Sequence, residues 1–123
     1  MQTSLPVGTR HITVTRVGPE HTPAHLAPVV VLSTPEMIRL MEEASTAAVQ
    51  GLLDPDDRTS VGVHIDVSHE SAAREDEEVT VEAELIAVDG PRLTFRVEAR
   101  CDDRVIGRGT HRRYVVDRSR FAR

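Results

Sequence analysis

An α+β fold, a curved antiparallel β-sheet wrapped around one long central α-helix, is predicted by three observations. A segment beginning at Pro35 carries apolar residues at a helical period. The segments after Arg58 switch to a period of two. The later strands are joined mostly by short turns, which suit antiparallel neighbours. A lone helix with a broad apolar face needs a sheet to cover it.

The elements follow in order. Thr9 to Val17 alternates and predicts a first strand. Gly18 to Pro28 holds three prolines and two histidines and reads as a loop or lid. The short apolar run Val29–Leu32 precedes a helix starting at Pro35, where proline suits the first turn and Ser33 with Glu36 fits a capping box. Its apolar face is predicted to be Met37, Leu40, Met41, Ala44, Ala47, Ala48 and Gly51, and Gly51 with Asp54-Pro55-Asp56-Asp57 ends it. Ser60 to Ser68 reads as the next strand, closed by His69. Glu78 to Val88 follows, with Val79, Val81, Ala83, Leu85 and Ala87 on one face. Asp89-Gly90-Pro91-Arg92 turns the chain into a strand faced by Leu93, Phe95, Val97 and Ala99. Asp102-Asp103 turns it again into a last strand, Val105 to Val116. One helix leaves sheet edges open, and pairing between two copies is the expected remedy.

Residues 1–123 read as one domain, enough for a single core. The net charge of −5, with one Tyr, two Phe and no Trp, argues against a nucleic-acid binder. No apolar run approaches the roughly 20 residues of a membrane span. Cys101 is the only cysteine, so no internal disulfide forms. With no signal-like N-terminus, a reducing, cytoplasmic setting is expected. Every one of the 15 basic residues is arginine, and seven fall between Arg104 and Arg123. A GC-rich genome is the plain explanation of the arginine bias; the sharper one is a phosphate-bearing ligand meeting the C-terminal strand.

Three side chains carry candidate chemistry. Thr34 reads either as a helix cap or as a hydroxyl beside the positive end of a helix, where a carboxylate or developing oxyanion is favoured. Glu42 falls beside Ile38 and Val49 at the margin of the apolar arc, whereas Glu43 falls with Arg39 on the solvated face. Partial desolvation of a carboxylate makes it a better base, though a plain boundary charge would look the same. His69, at a strand end, is placed to act as base, acid or hydrogen-bond donor. His64 and His69 point to opposite faces of a regular strand, which precludes joint metal ligation. Thr34 and Glu42 stand about 12 Å apart along a regular helix, too far to share one hydrogen bond. Either the first turn is irregular or two subunits complete one site, and the second is the expectation.

The chain resembles the hotdog-fold thioesterases, most closely the fluoroacetyl-CoA thioesterase type, from about Val7 to Phe121. The resemblance is carried by Thr34 with Leu40-Met41-Glu42 and Ala44, by Val61-Gly62 with Val67-Ser68-His69, by Val79-Thr80-Val81-Glu82-Ala83-Glu84-Leu85, and by Gly107-Arg108-Gly109-Thr110-His111-Arg112-Arg113. It implies a hotdog fold and a catalytic set at Thr34, Glu42 and His69, with Gly62 and Arg113 contacting substrate. Unlike such relatives, this chain has no Pro-Gly turn shortly after the histidine, and no aromatic residue between Gly18 and Leu32.

The resemblance further implies hydrolysis of a small or medium acyl thioester, carried by CoA or an acyl-carrier protein, in a homodimer or a tetramer of two dimers. No metal or prosthetic group is implied. Glu42 would activate water or attack the carbonyl, His69 would move protons, and Thr34 would bond the carboxylate or the reacting carbonyl. The Gly62 N–H would approach the oxyanion, and Arg113 with its neighbours the CoA phosphates. A non-catalytic hotdog module that binds acyl-CoA or another small ligand fits the same residues. A hotdog hydratase or dehydratase is a third reading, without a typical Asp-His signature.

Overall fold

The computed structural model describes residues 5–121. Strand β1 (Arg10–Arg16) leads through a loop with two single-turn 3-10 helices into helix α1 (Thr34–Leu53). Four strands follow: β2 (Arg58–His69), β3 (Glu78–Asp89), β4 (Arg92–Cys101) and β5 (Arg104–Asp117), then a short helix α2 (Arg118–Phe121). They form one five-stranded sheet in the order β1-β3-β4-β5-β2, antiparallel throughout. The sequence expectation of one helix against a curved antiparallel sheet holds.

Helix α1 starts one residue earlier than expected. Ser33 is its cap, accepting a hydrogen bond from the Glu36 N–H at 3.3 Å. Glu36 turns its carboxylate to Arg39, at 2.9 Å, so the cap is one-sided rather than a reciprocal box. The helix buries Met37, Leu40, Met41, Ala44, Ser45, Val49 and Leu53. Ala47 and Gly51, expected on this face, are exposed. Ser45 takes the buried position because its hydroxyl donates to the Met41 carbonyl at 2.9 Å and so enters the core satisfied.

Opposite lie Val79, Val81, Ala83 and Leu85 of β3 and Leu93, Phe95, Val97 and Ala99 of β4, all fully buried. Ala87 leaves that face: the β3–β4 register shifts between Leu85 and Ala87, and one extra residue inverts the alternation beyond it. Gly90 in the β3–β4 turn has φ +58°, a conformation glycine adopts without steric cost.

The site depends on the sheet's β2 edge. Its pairing with β5 also shifts register, between Gly62 and His64. Gly62, Val63 and His64 are exposed along it.

Candidate active site

At one end of α1, the Thr34 hydroxyl lies 2.7 Å from Nδ1 of His69. Because Ser33 supplies the cap, the Thr34 hydroxyl is not consumed by the helix terminus. The preceding loop fixes the approach. Ser33 N–H donates to the His21 carbonyl at 2.9 Å, and Leu32 N–H to the Ala73 carbonyl at 2.9 Å. Thr22 clasps Val31, its Oγ1 accepting from the Val31 N–H at 3.0 Å and donating to the Val31 carbonyl at 2.8 Å. His69 Nε2 is buried and has no hydrogen-bond partner among the described residues. A buried imidazole nitrogen without a partner is costly unless something outside the chain completes it.

The second group forms farther along α1. Arg113, only 7% exposed, extends along the inner face of β5. Its Nε donates to Ser60 Oγ at 2.7 Å and its Nη2 to the Ser60 carbonyl at 2.8 Å. Its Nη1 lies 3.1 Å from Nε2 of His111 and 3.9 Å from Oε1 of Glu42. His111 Nδ1 donates to the His64 carbonyl at 2.8 Å, so its Nε2 is the acceptor for Arg113. Burial pushes the His111 pKa down, and the Arg113 charge pushes it the same way. Burial likewise works against the charge on Arg113, which Glu42 supports.

Gly62 is there for room. A Cβ at this position would lie 3.1 Å from Glu42 Oε1, 3.2 Å from His111 Cε1 and 3.4 Å from Arg113 Nη1. The Glu42 side chain is 42% exposed in the single chain. It borders two grooves. One, of about 630 Å³, is lined by Pro35, Ile38, Arg39, Thr46 and Arg113 among others. The other, of about 300 Å³, runs along Gly62, Val63, His64, Ile65 and His111.

Of the five residues expected at the site, Thr34 and His69 meet each other, while Glu42 meets Gly62 and Arg113. The two groups are apart in one chain. Thr34 and Glu42 are eight positions apart on a helix that is regular from Thr34, about 12 Å of rise. Gly62 and His69 are seven positions apart on β2, roughly 20 Å of strand. Arg113 faces Glu42 inside the sheet rather than open solvent. Sequence reasoning assigned no role to His111 or Ser60. The available signal was that His111 and Arg113 share the parity of Gly107, Gly109 and Val115, the inward-facing set of β5. Among the described residues, no group of three or more His, Cys, Asp or Glu could hold a metal ion, and no helix is long and apolar enough to cross a membrane.

The fold is the hotdog fold of the thioesterase superfamily. A Thermus thermophilus hypothetical protein, a thioesterase superfamily member, is 26% identical and matches with TM-score 0.87 over 97% of this chain and 89% of its own. The solved fluoroacetyl-CoA thioesterase FlK matches with TM-score 0.87 and 36% identity, covering 98% of this chain and 94% of that one. The fluoroacetyl-CoA thioesterase of Streptantibioticus cattleyicolor is 36% identical over 129 residues, 98% of this chain and 92% of its own length. Residues 17–119 match the profile of the fluoroacetyl-CoA-specific thioesterase family, and the chain belongs to that family.

Proposed function

We propose that this protein is an acyl-CoA thioesterase, hydrolysing a small or medium acyl thioester at a site shared by two subunits. Family membership supports the chemistry. The single observation that carries the shared site is the separation of Thr34 and His69 from Glu42 along α1.

The open β2 edge supplies the geometry. Two β2 strands pairing antiparallel about a two-fold axis between Ile65 and Asp66 set His69 of one subunit opposite the partner's Gly62. The partner's Glu42, beside its own Gly62, then stands near the Thr34–His69 pair. One arrangement pairs the open edge and completes the catalytic set.

In this site Glu42 delivers the nucleophile, its own oxygen or that of a water it deprotonates, to the thioester carbonyl. A C–O bond forms, the C–S bond breaks, and the departing thiolate takes a proton relayed by His69. Where the Glu42 oxygen itself attacks, a water then cleaves the resulting anhydride, releasing the acid and freeing the Glu42 carboxylate. Thr34 orients His69 and bonds the reacting oxygen. The Gly62 N–H faces the developing oxyanion, and Arg113 holds the carboxylate on the substrate side. The 18–32 loop holds no aromatic residue, so this reading includes no aromatic lid over the smallest acyl groups. Burial pushes the Cys101 thiol up, which suits a passive core residue in a cytoplasmic protein rather than a nucleophile.

A panel of acyl-CoA esters with free-thiol readout tests the proposal. Turnover by the wild type, lost in Glu42→Gln while CoA binding persists, is the expected result. A wild type inert on every thioester, yet binding them, would make the protein a ligand-binding module instead.

A further inference from the structure

Resting on that reading, we propose that His111 is a positioning residue for Glu42, acting through Arg113. It is 1% exposed and borders the smaller groove beside Gly62 and Glu42. Both of its ring nitrogens are engaged. Nδ1–H is tied to the His64 carbonyl, beside the β2 register shift, and Nε2 receives Arg113 Nη1 at 3.1 Å.

A guanidinium has five N–H donors in a rigid plane and no acceptor. Two contacts to Ser60 anchor the Nε and Nη2 side of Arg113. The remaining freedom is a tilt of Nη1, and the imidazole closes it. Nη1 is the atom that stands 3.9 Å from Glu42 Oε1. The chain His64 carbonyl, His111, Arg113, Glu42 therefore links the β2 edge to the carboxylate.

The arrangement requires a neutral imidazole, because a protonated one has no lone pair to accept from Arg113 and would repel it. The charged or titratable groups facing His111 are Arg113 on its own strand, Glu42 on α1 and His64 on β2. Burial and the Arg113 charge both favour the neutral form. A plain core histidine would not need its acceptor turned onto a buried cation. Phe95, whose ring centroid is 6.5 Å away, fills the apolar side.

Substitutions at His111 and Arg113 and one spectroscopic measurement test this. Gln at position 111 can accept from Arg113 and donate to the His64 carbonyl; Phe can do neither. His111→Phe should lower kcat by about 10- to 100-fold with KM little changed, since a small misplacement of a reacting group costs that much. His111→Gln should restore activity to within several-fold of wild type. In an Arg113→Lys background, His111→Phe should cost less than about threefold, because the coupling runs through the missing fork. Wild-type kcat in His111→Phe, or a Gln variant no better than Phe, would overturn the proposal. Independently of turnover, ¹⁵N NMR at neutral pH should show His111 as the neutral Nδ1–H tautomer, with Nε2 shifted by Arg113→Lys. An Nε2–H tautomer, or no response to Arg113→Lys, would reject the linkage even if thioesters are hydrolysed. The tautomer and its shift found in a protein inert on thioesters would leave the linkage standing and defeat the thioesterase reading alone.

Discussion

The Thr34 hydroxyl stands 2.7 Å from Nδ1 of His69, joining the first residue of α1 to the last residue of β2 across 35 positions of sequence. One hydrogen bond fixes the imidazole's orientation. Thr34→Val keeps the shape and removes the bond. It should lower kcat by about 10²-fold or more, the range for a lost acid-base positioning contact. Thr34→Ser keeps the hydroxyl and should retain most activity. Steady-state kinetics on the two variants checks this, and equal activity in both would remove Thr34 from the chemistry.

Gly62 leaves the space in which Glu42 rests. Gly62→Ala puts a methyl 3.1 Å from Glu42 Oε1 and 3.2 Å from His111. The carboxylate is half-exposed and can yield, so the fold should survive while the nucleophile is displaced. A loss of about 10- to 100-fold in kcat is expected, with a melting temperature close to wild type.

Gly109 makes the opposite prediction. A Cβ there would collide with the Asp66 carbonyl and Val67 Cα, both backbone atoms of the neighbouring strand. Backbone cannot rotate away, so Gly109→Ala should destabilise by about 1–3 kcal/mol, the usual range for overpacking. Phe95→Ala, from a fully buried position in β4, should lose about 3–5 kcal/mol. Urea denaturation of the two variants measures both.

Stability should fall below neutral pH, in part through His111. In the folded chain burial pushes its pKa down, whereas in the unfolded chain it titrates near about 6.5. Below that pH the unfolded state takes up a proton that the folded state resists, so acidification favours unfolding. The carboxyls of Asp54, Glu70, Glu77 and Asp117 are held below their usual range, chiefly by hydrogen bonds. Their contribution is lost only at more acid pH, below about 4. Unfolding free energy, taken from urea curves at a series of pH values between those limits, should fall less steeply with acidification in His111→Gln than in wild type.

Much of this was legible in the sequence because periodicity reports burial. Val79 through Leu85 and Leu93 through Ala99 alternate, and each alternate residue is buried as expected. The spacing of Thr34 and Glu42 already implied two separate groups. What periodicity could not report was backbone pairing. The register shift after Leu85 sends Ala87 outward, yet no residue there announces it. Helix α1 beyond Ala44 was misread because alanine and glycine mark a buried face weakly, while Ser45 enters the core through a bond to its own helix. His111 was opaque for a related reason. Its role depends on Ser60 and His64 from another strand and on Glu42 from the helix, contacts that no single segment encodes.

The shared site is tested most directly by mixing two inactive chains. Glu42→Ala and His69→Ala homodimers should each be inactive. Mixed dimers isolated with two affinity tags should recover about half of wild-type turnover per dimer, because one of their two sites pairs an intact His69 with the partner's intact Glu42. Mixed dimers as inactive as either parent would contradict a site built across two subunits.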